Sequence, residues 1–476
     1  MKLSCVFTLS LPAVATALAL APSWKSVATN QLPSSGESLI PKIGELCAEL
    51  SWPEDEVGPP DFVLLTVPQE HATALQQLSA AAARELSAEL LVGVLGMAIG
   101  GTPTHEYMKD GPGISLLAGK WPQATTAKTF IVSGERFPTW SEVASAKDDP
   151  SFLIFADPFS ACPQVTSILN SLCPGSVVAG GLSCPTTDEM PSLAWYTRGA
   201  QCRTLPPGSL IGLSISGENI EFHTATAQGA SPVGPSFLVT GGDGGNLVKE
   251  LDGAPALQRL QEVAEEASSS DPRVLKLIQR ALLVGVTVDA EATAGTSVTA
   301  TAAAADADAS EEDEDFLIRQ VMGVTNQGGL YVGDRVEVGT TRLQFHVRDE
   351  QAAHDELNLL LGRYRVERQF SGRFGEARPL GCLLFSCNGR GTNMYKEDDH
   401  DTKAITEVLG SGGGQLAIGG FFGNGEIGPI GVKGVTKGKE ASAYMHGFTS
   451  VIAIVYDMTT TSSTADTSAD PPPLDK

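Results

Sequence analysis

The order of segments near the start of the chain constrains its fold most. The apolar, β-rich run from Asp61 to Val67 is followed by an Ala/Leu/Glu-rich stretch with helical spacing, His71 to Leu90, and then by a second apolar run, Leu91 to Gly96. Two strands separated by a helix cannot close as a hairpin; they need a crossover, and the crossover helix must lie on the sheet. A third strand is expected at Ile114–Ala118. The arrangement returns at Phe152–Ala156, with a helix to Leu172, a strand at Ser176–Gly181 and another at Ser209–Ser216. Later in the chain, Phe316–Gly323 reads as a strand and Arg342–Arg348 alternates like one. Asp349 is a suitable N-cap for a helix through Ala352, Ala353 and Leu357. Leu380–Ser386, Gln415–Phe422 and Gly447–Tyr456 read as further strands. The fold class is therefore α/β (mixed α+β): a two-lobed unit of mixed β-sheets flanked by helices.

Composition supports a large buried core, with 42% hydrophobic and 18% charged residues. Two stretches depart from it. Residues 289–315 are almost entirely Ala, Thr, Ser, Asp and Glu, and 459–476 form a polar tail with three successive prolines; both are expected to be disordered. The formal net charge of −24 repels phosphate backbones, so no nucleic-acid partner is expected. Lys2 and the apolar run Leu3–Leu20, with small residues at Ala17, Ala19 and Ala21, have the layout of a cleavable signal peptide. Pro22–Gly36 is Ser-rich and carries no acid, which resembles a transit peptide. Together they suggest the two-step leader of an alga with complex plastids, with plain secretion as the alternative and no stable membrane insertion of the mature chain. The resulting division is 1–37 leader, 38–225 first domain, 226–458 second domain with the insertion at 289–315, and 459–476 tail. Eight cysteines with irregular spacing and no C-x-x-C read as reduced, buried thiols.

Common catalytic and phosphate-binding signatures fail on their own chemistry. Gly113 to Lys120 has five residues between its glycines, and Trp121 stands where a P-loop needs Ser or Thr. His105-Glu106 has no second His four residues on, and Gly212 to Ser216 ends in Ser where a nucleophile elbow needs Gly. Asp399-His400-Asp401 lies in a polar stretch and reads as surface. No cofactor is called for.

The densest motifs are Phe385-Ser386-Cys387-Asn388-Gly389-Arg390-Gly391, Gly420 to Pro429, and His446-Gly447-Phe448-Thr449. This trio resembles the C-terminal domain of the FIST (F-box and intracellular signal transduction) family. The resemblance extends to Leu317-Ile318-Arg319, Phe345 to Asp349, Gln228 to Gly234 and Leu251 to Gly253, and at the N-terminal side to Gly180-Gly181-Leu182 and Gly208–Gly217. Where the family often has Gly-Cys-Ser, this chain has Gly93-Val94-Leu95. The resemblance implies a sensory domain for a small ligand, with amino acids proposed, found beside signalling modules and behind an F-box in a ubiquitin-ligase subunit. No F-box-like helical segment precedes the first strand here. Cys387, Asn388, Arg390, Gly391, Asn424, Glu426, Arg319 and Arg348 are the expected ligand-binding residues. The pairs Asn388-Gly389 and Asn424-Gly425 suggest tight turns with positive φ that would hold Arg390 and Glu426 at strand mouths. There a guanidinium could grip a carboxylate and a glutamate could receive an ammonium, as in an amino acid or other small carboxylate. The expected partner is thus a small molecule and the chain is not expected to be an enzyme. A protein-recognition scaffold and an enzyme using the Cys387 thiol are the alternatives.

Overall fold

The computed structural model of the protein describes residues 23–32, 39–108, 111–134, 137–139, 143, 149–288, 315–371, 377, 379–410, 416–435 and 442–459. Its framework is one unit built three times, a parallel strand pair joined by a helix. Phe62–Val67 pairs with Leu90–Leu95 through the helix Leu75–Glu85. Ser151–Ala156 pairs with Val178–Leu182 through Cys162–Leu172. Pro379–Cys387 pairs with Ala417–Gly423, with the helix His400–Leu409 between them in the chain. These six strands are buried along nearly their whole length. One face meets a shared core and the other lies under helices, which is why the sequence shows continuous apolar runs and not alternation.

Each parallel pair sits inside its own sheet, extended by antiparallel strands. The first sheet runs Trp24–Thr29, Ile114–Gly119, Phe62–Val67, Leu90–Leu95, Leu193–Thr197, Arg203–Thr204. The second runs Ala443–His446, Gly425–Pro429, Val178–Leu182, Ser151–Ala156, Leu210–Ser216, Thr126–Val132. The third runs Gly431–Lys433, Ile220–Ala227, Ser450–Asp457, Pro379–Cys387, Ala417–Gly423, Met97–Gly100, His105–Glu106. Their inner faces supply one core: Phe62 and Val94 from the first, Phe155 and Leu213 from the second, Phe385, Phe421 and Val451 from the third. Phe385 meets Phe155 and Phe421 edge-on, at ring-centroid distances of 5.9 and 5.5 Å. Outside, Ile40–Leu50 and Leu75–Glu85 cover the first sheet, Cys162–Leu172 the second, and Glu350–Phe370 with His400–Leu409 the third.

The chain leaves each sheet at the carboxyl end of its parallel pair and enters another. Gly96 carries it from the first sheet to the third, Asn424 from the third to the second, and Ser183 and Cys184 start its return from the second to the first. Backbone bonds join these exits: Cys184 N–H to Leu95 O (2.8 Å), Asn424 N–H to Leu182 O (3.0 Å) and Asn388 N–H to Gly423 O (3.0 Å). A separate antiparallel barrel closes from Ser231–Gly242, Arg342–Val347, Leu282–Thr287, Phe316–Val324, Leu330–Val332 and Leu247–Leu251. Val239, Val284, Leu343 and Phe345 fill it.

Mixed α/β architecture with helices on the sheets is what the sequence implies. Three expectations need correction. The strand Trp24–Thr29 pairs residue by residue with Ile114–Gly119, and Trp24 packs on Trp121, so this part of the 1–37 segment belongs to the fold. The run Leu3–Leu20 lies outside the described residues. A boundary between 225 and 226 would cut the strand Ile220–Ala227, which pairs along its length with Ser450–Asp457. The helix expected at His71–Leu90 is shorter: a 3-10 turn, Gln69–Ala74, precedes it, and Ser87 at φ +51° turns the chain so that Leu90 can pair with Thr197. Residues 289–314 and 460–476 also lie outside the described residues. Among the described residues no helix is long and apolar enough to cross a membrane.

Candidate functional site

Carboxyl ends of parallel strands, at points where a sheet changes direction, are the usual ligand positions in α/β folds. In this chain the three exits bring together residues from all three sheets. At the third, the strand Pro379–Cys387 ends on a thiol and runs into Asn388-Gly389-Arg390. Asn388 Nδ2 donates to Asn424 Oδ1 at 2.9 Å, and the Cys184 thiol approaches the same oxygen at 3.4 Å. Asn388-Gly389 forms the expected tight turn, closed by Arg390 N–H to Cys387 O at 2.8 Å, but neither Gly389 nor Gly425 adopts positive φ, and Asn424 is the crossover between two sheets. The left-handed residues here are Gly391 (φ +53°), Gly229 (φ +69°) and Phe448 (φ +69°). For a bulky aromatic side chain that conformation is strained, and such strain concentrates at functional sites.

Arg390 is not at a turn tip. It is fully buried, and its Nε and Nη2 pair with the two oxygens of the equally buried Asp401 at 3.0 and 3.1 Å. Tyr395 Oη accepts a third bond from Nη2 at 2.8 Å. Asp401 also accepts from Ser450 Oγ (2.5 Å) and from His400 Nδ1 (2.9 Å). Burial works against both charges, yet Asp401 holds Arg390 protonated above its usual range and Arg390 holds Asp401 below the usual carboxylate range. Asp399-His400-Asp401, expected at the surface, thus opens a helix whose Ile405 and Leu409 face the core, and it delivers the counter-ion of Arg390.

Glu426 is also fully buried. Its Oε2 accepts from Thr449 Oγ1 at 2.6 Å and from Thr449 N–H at 3.2 Å. Burial raises its pKa to about 8, against the Thr449 bonds and the attraction of Arg390 and Arg348. Burial thus favours its neutral form over the carboxylate expected to receive an ammonium. His446, opposite Glu426 in the strand register, donates from Nε2 to Gly428 O at 2.8 Å, and burial lowers its pKa to about 4. Cys387 feels burial first and then Glu426, which push its thiol up to about 11 despite the backbone N–H groups of Gly389 and Phe448 and the charge of Arg348. A thiol so protonated is a poor nucleophile.

Arg348 follows the strand Arg342–Val347 and precedes the Asp349 cap, whose side chain accepts from Gln351 N–H at 3.0 Å. Its guanidinium stacks on Phe448 at 5.4 Å and lies against Gly389, where a Cβ would stand 2.5 Å from Nη1. A Cβ on Gly229 would stand 2.4 Å from Arg390 Nη1. Gln228 and Gly229 are held by Glu356, which accepts both backbone N–H groups at 2.9 and 2.6 Å. Arg319, on the barrel strand Phe316–Val324, has Nε 2.6 Å from Asp334 Oδ2, and its charge reaches His446. The structure therefore assembles Cys387, Asn388, Arg390, Gly391, Asn424, Glu426 and Arg348, with Arg319 in an ion pair with Asp334 on the side of His446. Asp401, Tyr395, Cys184 and Thr449 complete the group. Helical spacing of Ile405 and Leu409 after Asp401 was the available sequence clue to the first of these; Cys184 had none.

Around this group, with His446 beside Glu426, five buried polar atoms have no hydrogen-bond partner among the described residues: Arg348 Nε and Nη2, Arg390 Nη1, Glu426 Oε1 and His446 Nδ1.

Comparison with known proteins matches residues 61–254 to the FIST N domain and 256–429 to the FIST C domain. An uncharacterized protein of Mycobacterium tuberculosis is 29% identical over 430 residues, covering 89% of this chain and 99% of the relative. An uncharacterized protein of Mycobacterium bovis is 30% identical over 435 residues, covering 89% and 97%.

Proposed function

The chain belongs to the FIST family, and from that premise we propose that it is a sensory protein that binds a small molecule, such as an amino acid or other small carboxylate, and does not transform it. The observation that carries this reading is the concentration of five unpartnered buried polar atoms around Arg348, Arg390, Glu426 and His446. A buried donor or acceptor without a partner costs about 1–3 kcal/mol, so a fold that gathers several at strand ends has a use for them. Strain at Phe448 and the close fit of Gly229 and Gly389 against the two guanidinium groups add support. The Cys387 thiol, held protonated by burial, favours binding over thiol-dependent turnover. The run Leu3–Leu20 is proposed as a secretory leader cleaved before Ser23; the pairing of Trp24–Thr29 speaks against removal of Pro22–Gly36 as a transit peptide, so secretion is favoured over a complex plastid.

A thermal-shift screen of the chain from Ser23 against amino acids, small carboxylates and a broader metabolite set tests the reading. A ligand at a hundredfold its Kd adds about 2.7 kcal/mol. A broad screen in which no compound raises Tm would refute the proposal.

A further inference from the structure

The unpartnered atoms at this site are not a balanced set. Three of the five are cationic N–H donors, on two different guanidinium groups. The carboxylates nearby are already engaged: Asp401 faces the Nε and Nη2 of Arg390, and Glu356 holds the Gln228 and Gly229 amides. Glu426 has one oxygen on Thr449 and the other without a partner, and burial favours its neutral form. A proton on that free oxygen makes it a further donor. Arg348 and Arg390 meanwhile repel one another: burial first, and the charge of Arg390 among the rest, push Arg348 below its usual range. Both border the strained Phe448, Arg348 on its ring and Arg390 on Gly229, which faces the Phe448 carbonyl. An acceptor with negative charge would relieve the repulsion and satisfy the donors together.

Resting on the ligand-binding reading above, we propose that the group recognised at this site is an oxyanion, carboxylate or phosphate, seated between the Nε/Nη2 edge of Arg348 and the Nη1 of Arg390, with no ammonium group required. The ligand class is therefore acids in general, with amino acids as one case among them.

Calorimetric titration of the chain from Ser23 with acetate, inorganic phosphate, glycine and ethylamine separates the possibilities. Acetate or phosphate binds, their ratio telling a carboxylate site from a phosphate site; glycine binds no better than acetate; ethylamine does not bind. Arg348→Gln raises the Kd of the bound anion on the order of 10- to 100-fold with unchanged far-UV circular dichroism. If Arg348→Gln fails to fold, Arg348→Lys gives the same readout, because an ammonium cannot reproduce the two-point edge. Binding of ethylamine without acetate or phosphate would overturn the oxyanion assignment while leaving ligand binding in place. So would anion affinity unchanged in the Arg348 variants, or a screen whose ligands all lack an acid group. Silence of the whole broad screen would instead remove the ligand-binding reading itself.

Discussion

Replacing Asp401 by Asn keeps the size of the side chain and removes its charge. The Arg390 guanidinium then remains fully buried with two charge-assisted bonds, at 3.0 and 3.1 Å, gone or weakened, and the amide nitrogen meets either the Ser450 hydroxyl or the His400 Nδ1 that the carboxylate accepted from. Breaking a buried pair on one side costs about 3–5 kcal/mol, because the partner's desolvation is no longer offset. Arg390→Met should cost a similar amount by stranding Asp401. The double variant Arg390→Met with Asp401→Asn should cost less than the sum of the two singles, since both charges leave together; the coupling expected is about 2–4 kcal/mol. Denaturant unfolding of the four proteins, followed by tryptophan fluorescence and circular dichroism, measures it. Two single variants within about 1 kcal/mol of the parent, or effects that add within about 0.5 kcal/mol, would refute the view that Arg390 and Asp401 are a structural pair. Arg390 would then be free to serve the ligand alone.

Replacing residues 289–314 by Asn-Gly should leave the barrel intact with a change on the order of 1 kcal/mol or less, because Thr287 and Phe316 are paired and Val288 N–H meets Asp315 O at 3.3 Å; a loss of several degrees in Tm would show that the insertion packs on the fold. Glu426 has a folded pKa of about 8, raised from 4.5, so the folded chain holds a proton that the unfolded chain releases. Stability should fall between pH 5 and 8, and Glu426→Gln should flatten that fall by an amount on the order of a few kcal/mol; an identical slope in both proteins would contradict the shift.

The sequence made the parallel strand pairs legible because each is buried on both faces and leaves an unbroken apolar run, as at Phe62–Val67. The half-exposed strands were less so: Ser231–Gly242 carries two prolines and a bulge between Val233 and Ser236, and its alternation is lost in them. At the site, the motifs singled out Cys387, Asn388, Arg390, Asn424 and Glu426, and the fold brings these residues together at the strand exits. Their roles depended on contacts across the chain. Arg390 reads as wholly open to a ligand until Asp401 is known to take two of its nitrogens in the same buried volume, and Glu426 reads as a charge until its burial is known. Arg348 shows the converse. It gained importance from Phe448 and Gly389, which no spacing along the chain connects to it.

The strand Ser450–Asp457 lies between Ile220–Ala227 and Pro379–Cys387, in the middle of the third sheet. A ribosome delivers it after both of those strands. Until then the two flanking strands present open edges toward each other, and the shared core lacks Val451, Ala453 and Val455. The third sheet therefore cannot close until that strand has emerged, and until then the nascent chain must be kept from pairing those edges with neighbours. A stop codon or a proteolytic nick upstream of Ser450 removes the strand that joins the two halves of the sequence. Such fragments should be cleared by the cell's quality control and not persist as shorter, partly active proteins.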